Sequence, residues 1–231
     1  MAVSWTLEKE LCGLAEANSV GAALWRLGLT EHAESAVRLE ERHGWRRGGA
    51  ETYVYRFKVI SAETTRDVLL KAVTAFSTSR TLNEIADEWV HRRQLLAQGG
   101  ISTPTLYFAG RALLVEQDVG EKLASWLRRS PSNSIQLTDQ VFRLAAVMDR
   151  HGFAPMCVFN GLRTDGEAVY VVDFGQDLGP PGVRRRRGKG LLPEAKRWLA
   201  SVGQQRIDPC RAEAVYAFHL GGEAKDEQGP S

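Results

Sequence analysis

Alternating hydrophobic and polar positions dominate the chain between about Ser35 and residue 75. The segment YVYRFKVI puts its hydrophobic side chains on one face, at Tyr53, Tyr55, Phe57 and Val59. This two-residue period is typical of a half-buried strand. SAVRLEERHGW before it and VLLKAV after it have strand character as well, and the turn-forming segments RRGGAET and SAETTRD separate the three runs. The pattern predicts a three-stranded antiparallel meander.

A helical period replaces the alternation at residues 81–98, TLNEIADEWVHRRQLLAQ. Positions of one face recur in steps of three and four residues, at Ile85, Trp89, Arg92 and Leu96. Gly99-Gly100 then ends the helix, as glycine commonly does. The segments ISTPTLYFAG and RALLVEQDVG follow and predict two more strands.

Helical patterns dominate after Gly120. Four segments predict helices there, namely EKLASWLRR, IQLTDQVFRLAAVMDRHG, LLPEAKRWLASVGQ and PCRAEAVYAFHLGG. A hairpin turning at Thr164-Asp165-Gly166 lies between the second and the third of these helices.

The change of character near residue 120 predicts a boundary between two lobes within an α+β fold. We expect a helical extension at residues 1–34, with its helix at 5–27. An N-terminal lobe at 35–119 should contain an antiparallel five-stranded sheet and one helix, and a C-terminal lobe at 120–222 should be mainly helical with a small hairpin. The polar residues 223–231 predict a disordered tail.

The composition excludes several classes of protein. The 231 residues carry a formal net charge of +2 and lack the interleaved basic and aromatic residues of a nucleic-acid-binding surface. No apolar run is long enough to span a bilayer, and no secretory signal is recognisable at the N-terminus, so no membrane partner is expected. The cysteines Cys12, Cys157 and Cys210 are widely spaced, which suits a reducing compartment. We expect a cytoplasmic monomer or, for an effector, delivery into another cell.

Two charged residues next to or within hydrophobic runs are candidates for chemistry. Asp173 follows the β-branched and aromatic run 169–172 and precedes Phe174-Gly175. A carboxylate at the mouth of a buried strand can hold a hard cation such as Mg²⁺, although an ordinary surface aspartate fits the same pattern. Lys71 lies inside the third predicted strand, where its ammonium either reaches solvent or faces phosphate oxygens.

The order of these features resembles the protein-kinase-like superfamily, particularly its bacterial aminoglycoside-phosphotransferase and small atypical-kinase branches, over about residues 35–180. The resemblance implies that ATP and Mg²⁺ are the cofactors. It assigns Lys71 to the nucleotide phosphates, and it assigns Glu88, in preference to Glu84, to holding Lys71. It also implies a hinge whose backbone groups reach the adenine, formed by Glu116, Gln117, Asp118 and Val119.

The best local match to the family is VFN…VVDFG. The family has a metal-binding Asn 13 residues before its metal-binding Asp, and Asn160 precedes Asp173 by 13 residues. The resemblance therefore implies that Asn160 and Asp173 bind Mg²⁺ while nucleotide phosphates fill other ligand positions. An Asn before a Gly is otherwise commonly a turn residue.

The chain departs from the family in the catalytic loop. The family's catalytic aspartate should stand five residues before the Asn, where this chain has Pro155. Reading His151-Gly152 as the family's His-Gly pair puts Phe153 at that position instead. The nearest substitutes for a base are Asp149 and His151. Their alternative roles are a solvated charge at a helix end and a structural histidine.

Two further departures concern the acceptor and the phosphates. RHGWRRGGAET lacks the spaced glycines of protein kinases, which leaves Arg46 and Arg47 as candidate phosphate contacts. Only a short stretch follows Gly179, so the part of the C-terminal lobe that would bind an acceptor is small. The segment PPGVRRRRGKG is either a solvated loop or a docking segment for an acidic partner or phosphate.

Three functions fit these residues. The first is a phosphotransferase that moves the γ-phosphate of ATP to a hydroxyl of a protein or small molecule. The second is a pseudokinase, which binds nucleotide or acts as a scaffold, and Pro155 is its main support. The third is adenylyl transfer on the same fold. Loss of the base does not exclude the first, because general-base assistance contributes only about 10²–10⁴-fold, and positioning and charge neutralisation carry most of phosphoryl transfer.

Overall fold

The computed structural model describes residues 17–32, 37–44, 52–60, 65–73, 82–110, 113–129, 134–175, 178–179, 190–204 and 207–221. Helices and antiparallel strands account for most of these residues, so the predicted α+β class is confirmed. Most of the predicted helix at 5–27 lies outside the described residues, as do Arg46, Arg47, the basic segment 180–189 and the tail 223–231.

The described residues form six α-helices: α1 (Ala17–Arg26), α2 (Leu82–Gln98), α3 (Leu123–Arg129), α4 (Ser134–Arg150), α5 (Leu192–Ser201) and α6 (Pro209–Gly221). Glycine ends α4, because the turn after Arg150 requires a positive φ, which Gly152 adopts at 70°. The N–H of Phe153 then donates to the carbonyl of Met148 at 2.9 Å and satisfies one of the last carbonyls of the helix.

Eight strands form two antiparallel sheets in the described part of the chain: β1 (Val37–Gly44), β2 (Thr52–Ile60), β3 (Thr65–Val73), β4 (Leu106–Gly110), β5 (Leu113–Gln117), β6 (Glu121–Lys122), β7 (Arg163–Thr164) and β8 (Val169–Tyr170). The larger sheet has the order β1-β2-β3-β5-β4, and the smaller one has the order β6-β7-β8. The central position of β3 follows from its pairing with β2 on one side and β5 on the other.

One face of the larger sheet carries a hydrophobic core. Phe57 opposes Val68 across β2 and β3, and Leu70 opposes Val115 across β3 and β5. Directly opposed residues of an antiparallel pair lie on the same face, and all four side chains are buried. Leu24 of α1 completes this cluster, so α1 covers the sheet on that face.

Helix packing dominates the second part of the molecule. The hydrophobic face of α4 is fully buried, at Leu137, Val141, Leu144, Ala145 and Met148. Helices α5 and α6 both pack against α4. The small sheet attaches to the same core, because the side chain of Gln140 accepts a hydrogen bond from the N–H of Val169 at 2.7 Å.

The strand that was predicted to lead into Asp173 is shorter than the hydrophobic run. β8 ends at Tyr170, although Val171 is also buried. The N–H of Val171 donates instead to the carbonyl of Ser102 at 3.1 Å, beside a parallel bridge between Ser102 and Tyr170. Burial explains why Val171 is hydrophobic. The ladder of β8 ends before Val171 because its partner strand, β7, has only two residues.

The chain divides into two compact units. One comprises Met1–His91 and Pro104–Asp118, and the other comprises Arg92–Thr103 and Val119–Ser231. Residues 92–103 therefore group with the mainly helical unit and not with the larger sheet. The predicted division into lobes at 119/120 stays a prediction. Among the described residues, none of the helices has the length and apolar character needed to cross a membrane.

Candidate functional site

Lys71 lies on the central strand of the larger sheet. It opposes Val54 of β2 and Leu114 of β5, so β3 is fixed by backbone ladders on both sides. Its side chain lies on the face opposite the hydrophobic core, because Leu70 beside it belongs to that core. Only 9% of Lys71 is exposed, so the ammonium is held within the protein and does not extend into solvent.

The carboxylate that contacts Lys71 belongs to Glu116. Lys71 Nζ lies 2.5 Å from Glu116 Oε1, and Glu116 is fully buried. The contact is a close ion pair and does not have the angles of a directed hydrogen bond. The sequence assigned only the backbone of Glu116 to the site, because strand pairing was needed to bring its side chain to Lys71. Glu88 is half-buried on α2, and its pairing with Lys71 stays a prediction.

Two further residues of the predicted hinge, Gln117 and Asp118, donate their backbone N–H groups to carbonyls of the protein. Gln117 donates to the carbonyl of Thr105 at 2.9 Å, and Asp118 donates to the carbonyl of Asp67 at 3.0 Å. The carboxylate of Asp118 also pairs with Arg56 Nε at 2.5 Å. Within the described part of the chain, no hydrogen bond occupies the backbone N–H of Val119. Val119 is therefore the best candidate in the predicted hinge for contacting a base through its N–H.

Asn160 and Asp173 come from neighbouring segments of the helical unit. Asn160 lies in a 3-10 turn, Val158–Gly161, and a Cβ at Gly161 would lie only 4.0 Å from the Cβ of Asp173. Both Asn160 and Asp173 are exposed. The sequence spacing could not establish this proximity, since it gives a separation along the chain and not in space.

One side chain of α5, that of Trp198, contacts the Asn160 turn. Trp198 Nε1 donates to Asn160 Oδ1 at 3.1 Å, and the Trp198 ring stacks on Phe159 with 6.0 Å between ring centroids. No signal in the sequence identified Trp198, because it lies 38 residues from Asn160 and belongs to no recognisable motif.

Two arginines of α2 hold the segment after Asp173. Arg92 Nη1 donates to the carbonyls of Phe174 at 2.8 Å and of Gly175 at 2.7 Å. The guanidinium of Arg93 lies over the Phe174 ring, 5.1 Å from its centroid. Asp173 itself is oriented by the N–H of Gly175, which donates to Asp173 Oδ1 at 3.1 Å. The sequence placed Arg92 in the helical stripe but did not identify its target.

The two candidate bases have different surroundings. Asp149 Oδ2 accepts hydrogen bonds from the N–H of Leu191, at 2.5 Å, and from the hydroxyl of Tyr216. Asp149 is thus engaged in joining α4 to α5 and α6, and it is not a solvated charge. His151 Nε2 is buried and has no hydrogen-bond partner among the described residues. Burial, and second the charge of Arg150, lower the pKa of His151 below its ordinary value of 6.5, which favours the neutral imidazole.

Asn160 and Asp173 are suitable ligands for a hard cation that takes only a few of its oxygen ligands from the protein. An amide oxygen and a carboxylate each retain acceptor capacity after one hydrogen bond, and each makes one such bond here, with Trp198 and Gly175. The described residues contain no group of three or more His, Cys, Asp or Glu side chains that could hold a metal by itself. A bound Mg²⁺ at this pair would thus need further oxygen ligands from a nucleotide or water.

In comparisons with known proteins, no protein-family model and no curated protein matches the chain.

Proposed function

We propose that the chain is an atypical phosphotransferase that uses ATP and Mg²⁺ to phosphorylate a hydroxyl of a protein or small molecule. The observation that carries the proposal is the pairing of Asp173 with the Asn160–Gly161 turn, where a Cβ at Gly161 would lie 4.0 Å from the Asp173 Cβ. An exposed carboxylate beside an exposed amide oxygen suits Mg²⁺ that is shared with a nucleotide triphosphate. The proposal has Asn160 and Asp173 as the metal ligands.

The larger sheet supports the nucleotide part of the proposal. Lys71 lies on β3, which is the neighbour of β5, the strand that leads to the predicted hinge at Glu116–Val119. In the proposal the ammonium of Lys71 binds phosphate oxygens while the backbone N–H of Val119 binds the adenine. Bound Mg²⁺ would neutralise charge on the phosphates, and the protein would supply alignment of the acceptor hydroxyl.

His151 is the better of the two candidates for the base. Asp149 Oδ2 already accepts hydrogen bonds from the N–H of Leu191 and the hydroxyl of Tyr216, and use of this oxygen as a base would break both. The lowered pKa of His151 keeps the imidazole neutral at pH 7, as a proton acceptor must be. A base of this kind adds about 10²–10⁴-fold in rate, so its replacement should reduce turnover without abolishing nucleotide binding.

A nucleotide-binding protein without transfer chemistry is the second candidate, and the buried Pro155 favours it. Proline has no side-chain acceptor for the hydroxyl proton, and this chain has proline at the position of the family's aspartate. Adenylyl transfer would use the same metal pair with the nucleotide in another orientation, so the label on ATP must distinguish it from phosphoryl transfer.

The test is transfer of label from γ-³²P-ATP with Mg²⁺, followed into the protein, into hydroxyl-bearing acceptors and into free phosphate. We expect turnover in the wild type, its loss in Asp173→Asn, and its retention in Asp87→Asn, since Asp87 is an exposed aspartate of α2 that serves as the matched control. ATP binding without release or transfer of label would favour the pseudokinase, and transfer from α-³²P-ATP alone would favour adenylyl transfer. A wild type that binds no ATP would refute the proposed function.

A further inference from the structure

The sheet itself fixes the ion pair between Lys71 and Glu116. Lys71 opposes Leu114 across β3 and β5, and Glu116 lies two residues beyond Leu114, on the same face of the sheet. Both strands have further partners, β2 beside β3 and β4 beside β5. Neither residue can therefore move far from the other without breaking a backbone ladder.

Burial makes this contact different from a surface ion pair. Lys71 is 9% exposed and Glu116 is 0% exposed, and a buried charge is costly unless an opposite charge compensates it. An ammonium has three N–H donors, so a contact with Glu116 is compatible with donation to a phosphate oxygen.

We propose that Glu116 is the positioning residue for Lys71, holding the ammonium aimed at the nucleotide phosphates in the role that the family resemblance gives to Glu88. This inference rests on the proposed function. It moves the positioning carboxylate from a helix to the strand beside Lys71.

The location of the carboxylate has a consequence for control of the site. A glutamate on a helix can hold the lysine only when the helix is in place, whereas β3 and β5 belong to one hydrogen-bonded sheet. With Glu116 in this role, Lys71 keeps a carboxylate partner on its own sheet whatever the position of α2.

The test compares Glu116→Gln with Glu88→Gln in the full chain. The measurements are the Kd for ATP with Mg²⁺ by calorimetry, and kcat and KM for ATP. Glu116→Gln removes the negative charge but keeps the shape, and we expect it to lower kcat/KM for ATP by about tenfold or more, since one charged contact typically contributes at least 1.4 kcal/mol. Glu88→Gln should change kcat/KM by less than threefold.

A conservative variant separates positioning from folding. Glu116→Asp keeps the charge but shortens the side chain, so we expect a kcat/KM between those of the wild type and Glu116→Gln, with a cooperative thermal transition retained. If Glu116→Gln does not fold, the same comparison between Glu116→Asp and Glu88→Asp decides the question, with the larger loss expected at Glu116.

Two outcomes would overturn the inference in different ways. If the wild type turns over ATP and the Glu116 variants match it while the Glu88 variants lose activity, Glu88 is the positioning residue and the proposed function stands. If the wild type neither binds nor turns over ATP, the proposed function fails and this inference fails with it.

Discussion

Arg92 Nη1 lies 2.8 Å from the carbonyl oxygen of Phe174 and joins α2 to the residue that follows Asp173. The same nitrogen donates to the carbonyl of Gly175 at 2.7 Å. Because the N–H of Gly175 in turn orients the Asp173 carboxylate, the position of Asp173 depends on a side chain from a helix far away in the sequence.

Replacing Arg92 should therefore loosen the Asp173 segment. Hydrogen bonds to a charged group contribute about 1.5–3 kcal/mol each, so we expect loss of the two bonds in Arg92→Met to lower the free energy of unfolding by about 3–6 kcal/mol. Amide hydrogen exchange should also accelerate at residues 171–175 before global unfolding. Urea unfolding and exchange measured by mass spectrometry test both effects.

The control for this prediction is Arg197→Gln, which removes an exposed arginine of α5. Surface substitutions of this kind usually change stability by less than about 0.5 kcal/mol. Equal exchange rates at 171–175 in the wild type and Arg92→Met would show that Arg92 does not hold the segment.

The Lys71–Glu116 pair should show strong energetic coupling. Removing one partner of a buried pair leaves an uncompensated charge, so Lys71→Met and Glu116→Gln should each lower the free energy of unfolding by about 3–5 kcal/mol. The double variant should lose less than the sum of the two, because neither charge is then left alone. Urea unfolding of the four proteins measures the coupling free energy.

The same sheet contains a control pair for this cycle. Lys58 and Asp67 oppose each other across β2 and β3, 4.0 Å apart, with side chains 34% and 49% exposed. Exposed pairs couple by about 0–1 kcal/mol. A coupling at Lys71–Glu116 no larger than that at Lys58–Asp67 would contradict the importance of burial.

Acidification should weaken the fold through His151. Its pKa in the folded protein is lowered, by burial first and by the Arg150 charge second. The unfolded chain therefore binds the proton more tightly, and stability is lost as the pH falls below about 6.5. We expect the free energy of unfolding to fall between pH 7 and pH 5.5, and the slope to decrease in His151→Gln.

His219 must be separated from His151 in this experiment. Burial first, and then the charges of Arg143 and Arg150, lower its pKa as well, so its contribution has the same sign. His219→Gln should reduce the slope independently, and the double variant should reduce it further. Asp165 affects the pH dependence of the free energy of unfolding only at lower pH. Burial raises its pKa, but hydrogen bonds from Ala168, Glu167 and Tyr170 outweigh this and hold it below its ordinary value of 3.8. An unchanged slope in both histidine variants would refute the assignment.

Trp198 should report ligand binding at Asn160. Its indole N–H donates to Asn160 Oδ1 at 3.1 Å, so a cation that draws on the same oxygen must weaken or reorient that bond. We expect ATP with Mg²⁺ to change the tryptophan fluorescence of the wild type and expect most of the change to be absent in Trp198→Phe. Substituting the exposed Trp25 with Phe provides the control, because that residue lies on α1. A signal that persists in Trp198→Phe would place the change elsewhere.

Local patterns in the sequence predicted much of the secondary structure but not the contacts between distant elements. Alternation identified the run around Lys71 as a strand, and the helical period found α2. Neither pattern states that β3 lies beside β5, and this pairing is what brings Glu116 to Lys71. Likewise Arg92 occupies an ordinary position in the stripe of α2, and only tertiary structure supplies its two carbonyl partners.

In the hydrophobic run 169–172, the local pattern predicted more regular structure than the fold contains. Hydrophobic β-branched residues predicted a longer strand, but the strand ends at Tyr170, and Val171 beyond it is buried without belonging to the strand. The segments of Asn160 and Asp173, which lie 13 residues apart in the sequence, are neighbours in space, and their binding of Mg²⁺ stays a prediction.

The bonds of Asp149 have a consequence for the arginine-rich stretch at residues 180–189. Before this stretch, Gly179 approaches the carbonyl of Ala154 so closely that a Cβ would lie 2.7 Å from the oxygen. After it, the N–H of Leu191 is fastened to Asp149. Both attachment points thus belong to the six residues around His151. Changes in the length or charge of the stretch should therefore leave both anchors, and with them the helical core, intact.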